Sequence, residues 1–204
     1  MITIVDYGLG NIRAFSNVYE RLNISIKIAH TSEDLEDATR IILPGVGAFD
    51  HAMMLLNNSG MRDELERRVR VDHVPVLGIC VGMQILAGSS DEGILPGLGW
   101  INGTVRLFEE STINGKPKLP HMGWNTITPV QPHQLLTGLD DKSAFYFLHS
   151  YYFDCKNPDE VISTTEYGIT FASAVNHKNI FGIQFHPEKS HSNGIRILQN
   201  FAAL

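Results

Sequence analysis

Val76-Leu77-Gly78-Ile79-Cys80-Val81-Gly82-Met83-Gln84 is an apolar run that ends on a cysteine, with a glycine two residues to either side and a helix-like continuation. Such a run reads as a buried strand that turns sharply into a helix. The residues before it repeat the unit. Ile2-Thr3-Ile4-Val5 is a short apolar strand, and Ile12, Phe15, Val18, Tyr19 and Leu22 lie on one face of a helix. Ser25–Ala29 alternates as a strand, and Arg40–Leu43 is another, ending in Pro44-Gly45-Val46-Gly47. Helical stretches follow through Phe49, Met53 and Leu56, and through Met61, Leu65 and Val69. Strands separated by helices of this length predict an α/β fold with a central, mainly parallel sheet flanked by helices.

The second half changes character. Strand signals come in succession over Thr104–Phe108, Ala144–Phe153, Val161–Thr165, Phe171–Val175 and Ile180–Phe185. They predict antiparallel strands added to the sheet edge, or a small second sheet. Asn193–Ala203 closes the chain as a helix, with Ser192 as its cap. Glu109–Leu119 is polar and holds Gly115 and Pro117, which reads as an exposed loop.

With 204 residues the chain is long enough for one large domain with a sizeable core. A net charge of −6 argues against nucleic acid as a partner, since the one basic run, Arg62–Arg70, is broken by Asp63, Glu64 and Glu66. No apolar stretch approaches the length of a membrane span. The N-terminus reads as a strand and not as a leader, and two cysteines are too few for a stapled secreted domain. These features lead us to expect a cytoplasmic protein.

The chemistry concentrates at two places. Cys80 sits where a strand-to-helix turn would expose a nucleophile, near a helix N-terminus that favours thiolate, with the Val81 amide placed for an oxyanion. Far downstream, Gln184-Phe185-His186-Pro187-Glu188 supplies a histidine and a carboxylate leaving a strand end on one side. Thiol, imidazole and carboxylate are a nucleophile, a base and its orienting group. Pro44–Gly47 also ends a strand, so its backbone is a candidate second oxyanion donor. The histidines form no H-x-H or H-E-x-x-H pattern, so no metal is expected. Gly8-Leu9-Gly10-Asn11-Ile12-Arg13 fails as a dinucleotide loop because Arg13 occupies the third glycine position. His149 and Ser150 add polar groups to the otherwise apolar, alternating run Phe145–Phe153 and suggest a pocket wall. The chemistry of Pro120–Asn125 does not follow from its spacing.

Six runs in order carry a resemblance: Asp6–Asn11, Pro44–Gly47, Gly78–Gln84, Pro120–Asn125, His149–Tyr151 and Phe185–Ser190. Together they resemble the class I (triad-type) glutamine amidotransferases, and among these the glutaminase subunits of imidazole glycerol phosphate synthases. The resemblance covers almost the whole chain. It implies a flavodoxin-like fold in a single domain over 1–204 that needs no cofactor. It implies a triad of Cys80, His186 and Glu188 that releases ammonia from L-glutamine, with backbone of Val81, Val46 and Gly47 at the oxyanion. Gly45, Gly47, Gln84, Glu92, His149, Ser150 and Tyr151 match positions that hold glutamine. Asn11, Trp124, Tyr146 and Lys189 match positions at the interface and ammonia passage to a (β/α)8-barrel synthase subunit. The heterodimer so implied forms imidazole glycerol phosphate and AICAR in histidine biosynthesis. Two departures stand out. Val81 replaces a common leucine. Leu98-Gly99-Trp100-Ile101-Asn102-Gly103 is similar to variants in paralogues that amidate bacterial surface sugars, which is the alternative acceptor.

Overall fold

The computed structural model describes residues 1–109 and 119–204. Strands β1 (Ile2–Val5), β2 (Ile26–Ala29), β3 (Ile41–Gly45) and β4 (Val76–Cys80) form the parallel half of a large sheet, with β1 between β2 and β3 and β4 beside β3. Every residue of β1, β3 and β4 is buried, as continuous apolar strands covered on both faces should be. Helix α1 (Ile12–Arg21) turns Phe15 and Tyr19 inward, and the Tyr19 hydroxyl donates to the Leu198 carbonyl at 3.3 Å. Helix α2 (Phe49–Asn58) buries Phe49, Ala52, Met53 and Leu56 and stops before Gly60. Helix α3 (Arg62–Glu66) runs on into a π-turn, Arg67–Val71. Its basic run is laced by Arg67–Glu64, Arg70–Glu66 and Arg68–Asp72 ion pairs, so it is a charged helix face as expected.

After Cys80 the expected helix is cut short. Helix α4 (Val81–Gln84) is one turn, although Ile85, Leu86 and Ala87 are apolar enough to prolong it. The reason lies downstream: Leu98 N–H bonds the Ile85 carbonyl, Trp100 and Ile101 N–H bond that of Leu86, and Gly99 N–H bonds that of Ala87. The carbonyls that a longer helix would need are occupied by Leu98–Ile101. The expected dipole at Cys80 is correspondingly that of a single turn.

The second half supplies both predicted possibilities. Strands β5 (Ser89–Ser90), β6 (Gly103–Leu107), β10 (Tyr151–Cys155), β12 (Ile169–His177) and β13 (Ile180–Ile183) extend the large sheet in the order β4-β13-β12-β10-β6-β5, with β11 (Val161–Tyr167) and β8 (Thr128–Pro129) attached through β12. The pairings β13–β12, β12–β10 and β10–β6 are antiparallel, while β13 runs parallel to β4. Strands β7 (His121–Thr126) and β9 (Ala144–His149) form a separate antiparallel pair. The expected single strand over Ala144–Phe153 is therefore two strands in two sheets. It breaks at Ser150, where the His149 ring turns back onto the Tyr151 carbonyl at 2.7 Å. Phe145 and Phe147 hold the small sheet against Phe185, with ring centroids 4.1 and 5.7 Å from it. Helix α5 (His191–Ala203) starts two residues earlier than expected, with Ser190 and not Ser192 at its cap. Ser190 gives no side-chain cap, because its hydroxyl donates to the His186 carbonyl and accepts from Tyr146 N–H. Of the expected Glu109–Leu119 loop, residues 110–118 lie outside the described residues. Among the described residues no helix is long and apolar enough to cross a membrane.

Candidate active site

The parallel strands β3, β4 and β13 all point their carboxyl ends at one place, the position where open α/β sheets bind ligands. Cys80 is the last residue of β4, in register with Gly45 of β3. Its backbone is at φ 56°, ψ −114°, a strained conformation for a residue with a Cβ. That strain lifts the side chain out of the strand and makes the sharp turn anticipated in the sequence. His186 and Glu188 follow β13. They are not on a strand extension, as expected, because Pro187–Lys189 is a 3-10 turn. The turn achieves the same end: His186 Nδ1 lies 3.0 Å from Glu188 Oε1, and both side chains are almost fully buried.

The His186 ring faces the same cavity as Cys80. Burial pushes the imidazole down, but the nearby Cys80 and the bonded Glu188 outweigh it, and the group is raised to about 10. Cys80 has two further neighbours. Its Sγ lies 4.0 Å from the Leu148 carbonyl, and Gln184 Nε2 donates to Sγ at 3.8 Å. Gln184 Oε1 in turn accepts from Gln84 Nε2 at 3.1 Å, and Gln84 also donates to the Tyr151 carbonyl at 3.2 Å.

These groups face a cavity of about 350 Å³. Val46, Gly47, Val81, Gln84, Glu92, His149, Ser150 and Tyr151 line it together with Cys80 and His186, as does Lys189. Gly45 is buried behind this lining, in the β3–β4 pair. Gly47 takes φ +87°, which suits glycine, and lets the backbone after β3 turn into the cavity wall. Glu92 is anchored by one oxygen: Oε2 accepts from the Phe49 N–H at the start of α2, at 2.8 Å. Its loop is tied down beside it, since Asp50 accepts from Ile94 and Leu95 N–H.

Trp124 and Tyr146 gather beside the cavity, next to Lys189 of its lining. Trp124 stacks on His191 with centroids 5.0 Å apart, meets Tyr146 edge-on at 6.3 Å, and Lys189 Nζ lies 5.6 Å from the Tyr146 ring centre. Asn11 sits at the N-cap position of α1 without a side-chain cap bond, and α1 packs against the Pro187–Lys189 turn. Trp124 is 50% exposed and Met122 65% exposed on the same strand, an unusual amount of apolar surface for two neighbouring side chains.

The sequence reading gives no role to Gln184, His121, Asn125 or His191. The polar Gln184 in an otherwise apolar strand was a usable signal for the first. His121 and His149 form a buried pair, Nδ1 to Nε2 at 2.9 Å. Burial pushes His149 down to about 3, against the raising effect of its bond to Tyr151, and pushes His121 down to about 4. Both rings stay neutral in the folded protein where an unfolded chain takes up protons, below about pH 6.5. Their contribution to stability is thus complete above that pH and falls as pH drops towards 4 and 3, by about 1.4 kcal/mol per unit per ring. His186 acts in the opposite sense: its contribution is complete below about pH 6.5 and is lost as pH rises through about 10. Chemical denaturation at pH 7 and pH 5 is expected to show a fall of about 2 kcal/mol per buried neutral ring. A level profile over that interval would contradict the neutral pair.

Among the described residues no cluster of His, Cys, Asp and Glu is arranged to hold a metal ion. Residues 3–203 match the glutamine amidotransferase class-I family. Over all 204 residues of both chains, the protein is 56% identical to imidazole glycerol phosphate synthase subunit HisH of Bdellovibrio bacteriovorus. It is 50% identical over 204 residues to the same subunit of Leptospira interrogans, again covering both chains in full. A crystal structure of a glutamine amidotransferase superimposes with a TM-score of 0.74 over 100% of this chain and 99% of that one, at 20% identity, which supports the fold.

Proposed function

This chain belongs to the glutamine amidotransferase class-I family and is an enzyme subunit of that kind, and we propose that it draws ammonia from L-glutamine with Cys80, His186 and Glu188 and passes it to a barrel-shaped synthase partner. The observation that carries this reading is that Cys80 and His186, the latter bonded to Glu188 behind it, line one cavity of about 350 Å³, a volume suited to a small molecule and not to a polypeptide. The subunit works within imidazole glycerol phosphate synthase, in histidine biosynthesis, as the names of its relatives indicate.

The steps follow from the geometry. Glu188 holds His186 by Nδ1, so Nε2 is the nitrogen turned to the thiol. The Cys80 sulfur, its proton already passed to the imidazole, adds to the side-chain amide carbon of glutamine. The amides of Val81 and of the Val46–Gly47 segment hold the oxyanion. His186, which keeps a ring proton at neutral pH, gives it to the leaving nitrogen, and ammonia departs from a γ-glutamyl thioester. Water then loses a proton to His186 and attacks the thioester, releasing glutamate and the thiol. Glu92, with Oε2 taken by Phe49 N–H, offers Oε1 to the substrate ammonium group. Gly45, Gly47, Gln84 and the His149–Tyr151 backbone complete the glutamine site.

We assign the face of Trp124, Tyr146, Lys189 and Asn11 to a (β/α)8-barrel subunit in a heterodimer, with ammonia passing there. The exposed Trp124 and Met122 support this surface. The chain acts as a single glutaminase domain over 1–204 and works in the cytoplasm. The test is co-purification with the (β/α)8-barrel synthase subunit of the same organism. Glutamate release from glutamine is expected to rise at least about tenfold on mixing, and the pair is expected to restore growth of a histidine auxotroph. Amidation of a surface sugar without rescue would move the acceptor to the alternative. Cleavage of peptides with no response to glutamine would overturn the glutaminase reading.

A further inference from the structure

His121 and Asn125 stand outside every role assigned above, yet they begin a chain of hydrogen bonds that ends on the cavity wall. Asn125 Nδ2 lies 3.2 Å from His121 Nε2, His121 Nδ1 lies 2.9 Å from His149 Nε2, and His149 Nδ1 lies 2.7 Å from the Tyr151 carbonyl oxygen. Each proton in this chain is forced. A carbonyl only accepts, so His149 carries its proton on Nδ1 and accepts on Nε2. His121 must then donate from Nδ1 and accept at Nε2, and the Asn125 amide is the donor there. Asn125 is itself fixed: Nδ2 also donates to the Glu166 carbonyl at 2.9 Å, and Oδ1 accepts from Thr126 N–H at 2.8 Å. At the far end, the Tyr151 carbonyl is the acceptor shared by His149 and Gln84.

Ser150 lies between the two anchored residues, where the chain crosses from the small sheet to the large one. Its carbonyl accepts from Phe108 N–H at 3.1 Å, which holds it to the end of β6, and the His149 ring bonds across it to the Tyr151 carbonyl, which ties it to the small sheet. We propose that His121, oriented by Asn125, is a positioning residue that holds the His149-Ser150-Tyr151 wall in the shape that receives glutamine. This rests on the glutaminase reading above.

His121→Phe separates the hydrogen bonds from the packing. The His121 ring is stacked on Phe147 at 4.7 Å and on Tyr167 at 3.8 Å, and a phenyl ring keeps both contacts. With the barrel partner present, His121→Phe is expected to raise KM for glutamine about tenfold while kcat stays within about twofold. His121→Asn, which can return a donor near the Nδ1 position but loses the stacking, is expected to recover most of that KM. A purely structural role predicts the reverse order. An unchanged KM in His121→Phe, or a better KM there than in His121→Asn, overturns the proposal. Should His121→Phe fail to fold, Asn125→Leu carries the same test, because it removes the donor that fixes His121 Nε2 as an acceptor.

Ring-nitrogen NMR of the wild type gives a readout independent of catalysis. Both His121 and His149 are expected as neutral rings protonated at Nδ1, and a proton on His149 Nε2 overturns the chain. If the wild type with its barrel releases no glutamate, the glutaminase reading fails, and the tautomers still decide whether this chain of bonds exists.

Discussion

Replacing Cys80 with alanine is expected to remove glutamate release entirely, a loss of at least about 10⁴-fold, while synthesis driven by added ammonia continues in the partner. No other thiol stands near: Cys155 is on β10, where it faces the Asn157 carbonyl and Glu160. His186 without a sulfur can still polarise water, but the thioester route is closed. The companion variant Cys80→Gly tests the elbow itself. At φ 56° the cysteine backbone sits where glycine is at ease and alanine is not, so Cys80→Gly is expected to be more stable than Cys80→Ala by about 1 kcal/mol. That order is unusual, since glycine ordinarily lowers stability. Thermal melts of the two variants measure it. Residual turnover in the alanine protein would sink the mechanism, and a more stable alanine protein would sink the strained turn.

The parallel half of the molecule is legible in the sequence because its determinants are local. Continuous apolar strands such as Ile2–Val5 and Val76–Cys80 end in Gly-containing turns, and their helices show one buried stripe. Cys80, His186 and Glu188 are legible for a related reason: each sits at or just beyond a strand end, where a parallel sheet places ligands. What escapes the sequence depends on distant partners. Phe145 to Phe153 reads as one alternating strand in which His149 and Ser150 mark only a polar patch, so nothing local places a change of sheet at Ser150. The break is set by the His149 ring on the Tyr151 carbonyl and by packing of Phe145 and Phe147 on Phe185. The brevity of α4 is likewise decided by Leu98–Ile101. Gln184 and His121 acquire their place only when β13 lies beside β4 and β7 pairs with β9, since each meets its partner across a ladder and not along the chain.

The second large effect is expected at Gly82, where two backbones nearly touch. A Cβ on Gly82 would lie 1.9 Å from the Leu43 carbonyl oxygen and 3.0 Å from its carbon. Those are backbone atoms in a buried parallel strand, so they cannot swing away as a side chain would. Gly82→Ala must push α4 off β3, which disturbs the β4–β3 pair at the Cys80–Gly45 register and moves Val46 and Gly47 behind it. The cost is expected at about 3 kcal/mol or more, or a fall in Tm of roughly 6–12 °C for a chain of this size. Glutaminase activity is expected to fall at least about 10²-fold in the protein that remains folded, because the Val81 amide and the Gly47 loop no longer address one oxyanion. Gly88→Ala is the matched control. It lies just beyond the same turn, its added Cβ would come no closer than 3.8 Å to the Gly103 carbonyl, and it should change Tm by no more than about 2 °C. If Gly82→Ala behaves like that control in both melting and turnover, α4 and β3 are not in contact, and Cys80 and the Gly47 loop are not held in fixed register.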